Sequence, residues 1–94
     1  LKMSLRELIE DIHALNEKLE EFEKKYGVMS ETFYKWYTSG EEPEDPEWIS
    51  DFSLWAGFYR IKLEREEEYH QLIQETVHSP EDMSDIMRNA VVKV

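Results

Sequence analysis

The sequence predicts an all-α protein: an antiparallel helical hairpin with a short capping helix and a further helix at its C-terminal end. Three observations predict it. Leu1, Leu5, Leu8, Ile12, Leu15, Leu19, Phe22 and Tyr26 alternate spacings of four and three, a heptad seam through more than three repeats. Asp45-Pro46-Glu47 and Ser79-Pro80-Glu81-Asp82 each combine a capping residue, a proline suited to the first helical position and an acid for the positive end of the dipole. Three glycines and three prolines in 94 residues are too few turn formers for many short strands, and no segment alternates polar with apolar residues. At 11.4 kDa the chain has material for one core, so residues 1–94 are read as a single domain.

The first helix is expected over about residues 3–26. Glu7, Glu10, Glu17, Lys18, Glu20, Glu23 and Lys24 stand between the seam residues and belong on the solvent side. Gly27 follows the last seam residue and can adopt the left-handed conformation that closes a helix. A helix roughly 36 Å long, at ~1.5 Å per residue, cannot bury its stripe alone and needs a second helix.

Ser30 is expected to cap a short helix over residues 30–38, with Glu31 in its first turn and a hydrophobic staple between Met29 and Tyr34. Ser39-Gly40 ends it, and the proline-broken acidic run Glu41-Glu42-Pro43-Glu44-Asp45 reads as an exposed loop. The third helix is expected over residues 46–77. Ile49, Phe52, Trp55, Ala56, Tyr59, Leu63, Tyr69, Ile73 and Val77 form its stripe, with the charge run Glu64–Glu68 on the far side. Gly57, costing ~1 kcal/mol relative to Ala within a helix, suggests close approach of a neighbouring helix. A last helix over 80–92 places Met83, Ile86, Met87, Ala90 and Val91 at i, i+3, i+4, i+7 and i+8.

The seam Leu5, Leu8, Ile12, Leu15, Leu19 and Phe22 pairs with Trp55, Tyr59, Ile73 and Val77 as core or dimer seam. The third helix outreaches the first, so Ile73, Val77, Ile86 and Met87 need further cover. A homodimer closing a four-helix bundle would supply it.

Composition excludes several function classes. The formal charge of −11 and pI near 4.6 oppose contact with phosphate backbones, so no direct nucleic-acid binding is expected. The longest apolar run, Leu54 to Tyr59, is far short of the ~20 residues a membrane span needs, and no signal-peptide pattern opens the sequence at Leu1. The expectation is a soluble, cytoplasmic protein. Absence of cysteine removes disulfide scaffolds, zinc ribbons and thiol catalysis.

Candidate chemistry is thin. Glu10 with His13 and Glu67 with His70 repeat the Glu-x-x-His spacing of helical di-metal sites. With seventeen glutamates that spacing arises readily by chance, and Glu10 and His13 lie off the first helix's seam. Glu66 and His70 lie closer to the third helix's stripe, but one side cannot hold a metal pair. A carboxylate/His metal bundle is therefore a lesser alternative, with no metal and no cofactor expected. No serine stands in a Gly-flanked nucleophile turn and no Gly-rich loop could cradle phosphate. The chain reads as a non-enzyme.

Aromatic residues carry the stronger signal. Ten of twelve fall in Tyr26–Tyr37 and Trp48–Tyr59. Phe33, Trp55 and Tyr59 suit the core where the short helix folds over the hairpin. Trp36, Trp48 and Phe58 do not readily share that core. Together with Glu41, Glu42 and Glu44 they form the candidate partner-binding surface, an aromatic patch rimmed by acids.

Three stretches carry a resemblance: residues 23–34 (Glu-Lys-Lys-Tyr-Gly-Val-Met-Ser-Glu-Thr-Phe-Tyr), then Gly40-Glu41, then Asp51-Phe52-Ser53-Leu54-Trp55-Ala56-Gly57-Phe58-Tyr59. This pattern resembles a family of small prokaryotic antitoxin-like helical proteins. In them a leucine-rich acidic helix runs into a Tyr-Gly turn, followed by an acidic loop and an Asp-Phe-x-x-Trp-Ala-x-x-Tyr helix. The likeness spans roughly residues 5–73; the Pro43–Pro46 loop and the helix beyond Pro80 depart from it. It implies a non-catalytic protein-binding module that neutralises a small toxin encoded beside it; the chain's own negative field favours a basic protein as partner. The alternative from the residues alone is a structural homo-oligomer.

Overall fold

The computed structural model describes residues 2–93, with side chains through Val91, so Leu1 of the expected seam lies outside the described residues. Among these residues there are four helices and no strand: α1 (Leu5–Tyr26), α2 (Ser30–Thr38), α3 (Trp48–Thr76) and α4 (Pro80–Lys93). The fold is all-α.

Each helix boundary has a local cause. α1 opens on a capping box in which Ser4 Oγ accepts the Glu7 N–H and the Glu7 carboxylate accepts the Ser4 N–H. Hydrogen bonding from the Ser4 backbone N–H first, and from the Ser4 side chain second, holds the Glu7 carboxyl below its ordinary pKa. Gly27, at φ 78°, closes the helix by donating its N–H to the Glu23 carbonyl. α3 starts at Trp48, two residues later than the Asp45-Pro46 signal suggests. Asp45 does not cap α3, whose N-cap Glu47 has no side-chain cap bond; Asp45 Oδ1 instead accepts the Glu47 N–H at 2.9 Å in the turn before it. The first backbone bonds, Trp48 to Asp45 and Ile49 to Pro46, span only three residues, so the signal builds a tight turn ahead of α3. α3 ends at Thr76, where extended Val77 donates to the Ile73 carbonyl. At α4 the expected cap is present, with Ser79 Oγ accepting the Asp82 N–H at 3.4 Å.

α1 and α3 pack antiparallel along most of α1. Lys2 meets Glu75, Asp11 meets Arg65, Phe22 meets Trp55 and Lys25 meets Asp51, so each step forward on α1 is a step back on α3. Leu8, Leu15 and Leu19 are buried in this contact, while Leu5, Ile12 and Phe22 are half-buried. The seam therefore closes within one chain. On α3, Phe52, Trp55 and Ala56 are buried, and Tyr59, Ile73 and Val77 are half-buried.

The core is lopsided. Leu19, Phe33, Phe52, Trp55 and Ala56 form one cluster at the end where α2 folds across the hairpin. The molecule is elongated, 53 × 26 × 24 Å. Among the described residues no other element packs extensively along α4, whose Met83, Met87 and Val91 are 39, 54 and 75 % exposed. Gly57 does not mark a close approach, because a Cβ there would meet nothing within 4 Å.

Candidate interaction surface

The aromatic end is assembled around Trp55, which is fully buried. Its ring stacks on Phe33 at 3.8 Å between centroids and 1° between planes, with Phe22 and Tyr26 each 5.7 Å away. Its indole Nε1 donates to Ser30 Oγ at 2.8 Å. Ser30 Oγ donates in turn to Glu23 Oε2 at 2.7 Å, and the same oxygen accepts the Ser30 backbone N–H at 2.9 Å.

This arrangement corrects two expectations. Ser30 is not the N-cap of α2; it is the first helical residue, 97 % removed from solvent and used as a relay. Met29 holds the cap position without a side-chain bond and is 65 % exposed, so there is no staple; Tyr34 packs on Tyr59 instead. Glu23, expected on the solvent side, is half-buried and supplies α2's capping acceptor from the end of α1. One carboxylate thus joins α1, α2 and, through Ser30, Trp55 of α3. Nothing in the local pattern around Glu23 distinguishes it from its neighbours; its partner becomes visible only once the Gly27 turn brings α2 back across α1.

A second bridge ties α1 to α3. Asp51 Oδ2 accepts from Lys25 Nζ and from the Tyr26 hydroxyl, both at 2.6 Å. The Lys25 and Tyr26 bonds depress the Asp51 pKa, and the Asp51 bond raises that of Lys25. Desolvation first, and the bond to Asp51 second, raise the Tyr26 hydroxyl.

Outside this frame stand the candidate binding residues. Trp36 and Trp48 come from different helices, yet each packs edge or tilt against the same buried ring, Phe52, at 5.9 and 5.8 Å. They keep 40 and 37 % of their surface exposed. Phe58 does not join them: it is half-buried and 6.3 Å from Phe22. Val28, Met29 and Ile49 are exposed apolar residues at the same end that sequence reasoning did not assign to a binding surface; Ile49, expected on the buried stripe of α3, is 55 % exposed. The α2–α3 connection carries Glu41, Glu42, Glu44, Asp45 and Glu47 with no intervening base. Glu41, Glu42 and Glu44 are all exposed.

The far half of the hairpin has two open clefts. One, of about 310 Å³, is lined by Lys2, Leu8, Arg65 and Leu72 among others. The other, of about 410 Å³, brings His13 and His70 to opposite walls with Glu66. Among the described residues no three His, Asp or Glu side chains are arranged to hold a metal ion. No described helix is long and apolar enough to cross a membrane.

These features define an acidic all-α hairpin with an aromatic, acid-rimmed end. No family model, no curated protein and no solved structure matches the chain.

Proposed function

We propose that the protein is a non-enzymatic, cytoplasmic binding module whose aromatic end engages a basic protein, in the manner of an antitoxin that neutralises a small toxin. The observation that carries this reading is the pair of partly exposed indoles, Trp36 and Trp48, packed on Phe52 beside the carboxylate run Glu41–Glu47. Tryptophan is among the side chains most often found to dominate binding energy, and one-signed charge beside it accelerates encounter with a partner of opposite sign. The resemblance of residues 5–73 to antitoxin-like proteins supports a toxin as that partner, and in this reading the module works as a homodimer.

The test is association kinetics with the protein encoded by the adjacent gene. Neutralising Glu41, Glu42 and Glu44 together slows association and flattens its salt dependence, with little change in dissociation. Unchanged rates, or absence of any complex, would refute the proposal.

A further inference from the structure

Among the described residues an apolar helix face and a mixed groove floored by Ile9, Ile12 and Tyr69 are both left open, and they match in length. The first is the α4 stripe, with Met83, Met87 and Val91 exposed and Ile86 half-buried. The second is the groove between α1 and α3 lined by Ile9, Ile12, His13, Glu66, Tyr69 and His70.

That groove continues the one α2 fills. Glu23 and Tyr59 face α2 through Ser30 and Tyr34. Ile9 stands two heptads before Glu23 and Glu66 one heptad after Tyr59, so they share the same sides of their helices. α2 therefore occupies one end of a seat for a third helix, and the rest is open. Beyond Tyr59, α3 runs on for about 25 Å to Thr76 with the open groove at Glu66–His70 along it, against about 21 Å for the fourteen residues of α4.

The corner before α4 decides which copy's groove it can reach. The Val77 N–H donates to the Ile73 carbonyl at 2.8 Å, the His78 N–H to Asp82 Oδ2 at 2.7 Å, and the His78 ring lies 3.0 Å from the Glu75 carbonyl. With the corner fixed in this way, α4 makes no extensive contact with its own α1 or α3 among the described residues.

We propose that α4 of one copy seats its Met83–Val91 stripe in the Ile9–Tyr69 groove of a second copy, reciprocally about a two-fold axis. This deepens the dimer reading above and rests on it. Each copy offers one helix and one groove, so a two-fold exchange satisfies both and closes the assembly. Two seats also help the interface reach the roughly 1,000 Å² expected of a stable complex. Because each chain carries −11, added salt strengthens this contact by screening, whereas it weakens binding of a basic partner.

Sedimentation equilibrium of the full chain and three variants tests it. The wild type is expected near twice 11.4 kDa. Ile86→Glu/Met87→Glu on α4 and, separately, Ile9→Glu in the groove should each raise the dimer dissociation constant at least tenfold with helicity unchanged. Leu54→Glu, on exposed α3 surface away from the groove, should not. The chain lacks cysteine, so an Ile9→Cys/Met87→Cys variant reports directly: oxidation should give an interchain disulfide. A monomeric wild type overturns both the exchange and the dimer reading. A dimer untouched by the α4 or groove variants, or a disulfide formed within one chain, overturns the exchange and leaves the dimer reading standing.

Discussion

Trp55 donates its indole N–H to Ser30 Oγ at 2.8 Å across the α2–α3 contact, inside the buried aromatic cluster. The bond anchors the edge of the ring whose face stacks flat on Phe33, 3.8 Å between centroids. Ser30 in turn is fixed by Glu23, so the seat of α2 depends on three side chains from three helices.

Ser30→Ala therefore removes the acceptor from a buried indole donor. An unsatisfied buried donor costs about 1–3 kcal/mol, and denaturant unfolding should show a loss in that range. In a Trp55→Phe background the donor is gone, so the same Ser30→Ala change should cost much less. A coupling energy near zero in the double-mutant cycle would contradict the bond's importance.

Glu23→Ala strips α2 of its capping acceptor, with an expected cost of about 0.5–2 kcal/mol. The loss should be local: amide exchange at Ser30 to Phe33 should accelerate before the rest of the core responds. Glu23→Gln keeps one acceptor oxygen and should lie between Ala and wild type. Uniform acceleration throughout the chain would contradict a capping role.

Only part of this was legible in the sequence. Periodicity exposed the α1 seam and most of the α3 stripe because each is a local repeat, although Ile49 and Leu63 of that stripe are exposed; Pro80 marked the start of α4, and Pro46 fell two residues ahead of α3. Ser30 misled for a physical reason: serine before an acid has the same sequence signature whether it caps its own helix or hydrogen-bonds across an interface. Phe58 was assigned to the exposed patch because ring crowding cannot be judged from one helix, yet Phe22 of α1 leaves room for it. Trp36 and Trp48 were named as leftovers, but their meeting on Phe52 depends on the loop length between α2 and α3, which no periodicity encodes.

The two glycines should respond in opposite senses. Gly27 sits at φ 78°, where an L side chain is strained, so Gly27→Ala should destabilise by about 1 kcal/mol although the site is open. Gly57 is helical and a Cβ would meet nothing within 4 Å, so Gly57→Ala should stabilise by about 0.5–1 kcal/mol. That corresponds to roughly 2–8 °C in melting temperature for a domain of this size. A destabilised Gly57→Ala would indicate a helix packed on that face in solution.

Asp51 gives the protein a defined acid response. Its pKa is depressed by Lys25 and Tyr26, so the folded state holds this proton more weakly than the unfolded chain. The contribution is full above about pH 4, the ordinary aspartate range, and is lost as pH falls through the depressed folded value. Lys25 and Tyr26 are raised, so their share is full below about pH 10 and fades as pH climbs through their folded values. Stability measured against pH should therefore fall less steeply below pH 4 in Asp51→Asn than in wild type. Parallel curves for the two proteins would contradict it.

The most direct measurement is the dissociation constant for the protein encoded by the adjacent gene, compared between wild type, Trp36→Ala and Trp48→Ala by titration calorimetry. Each truncation should weaken binding at least roughly tenfold, about 1.4 kcal/mol, while melting temperature falls only modestly because both rings are partly exposed already. Absence of binding by the wild type, equal affinity in folded variants, or unfolding of both variants would contradict a partner surface at the aromatic end.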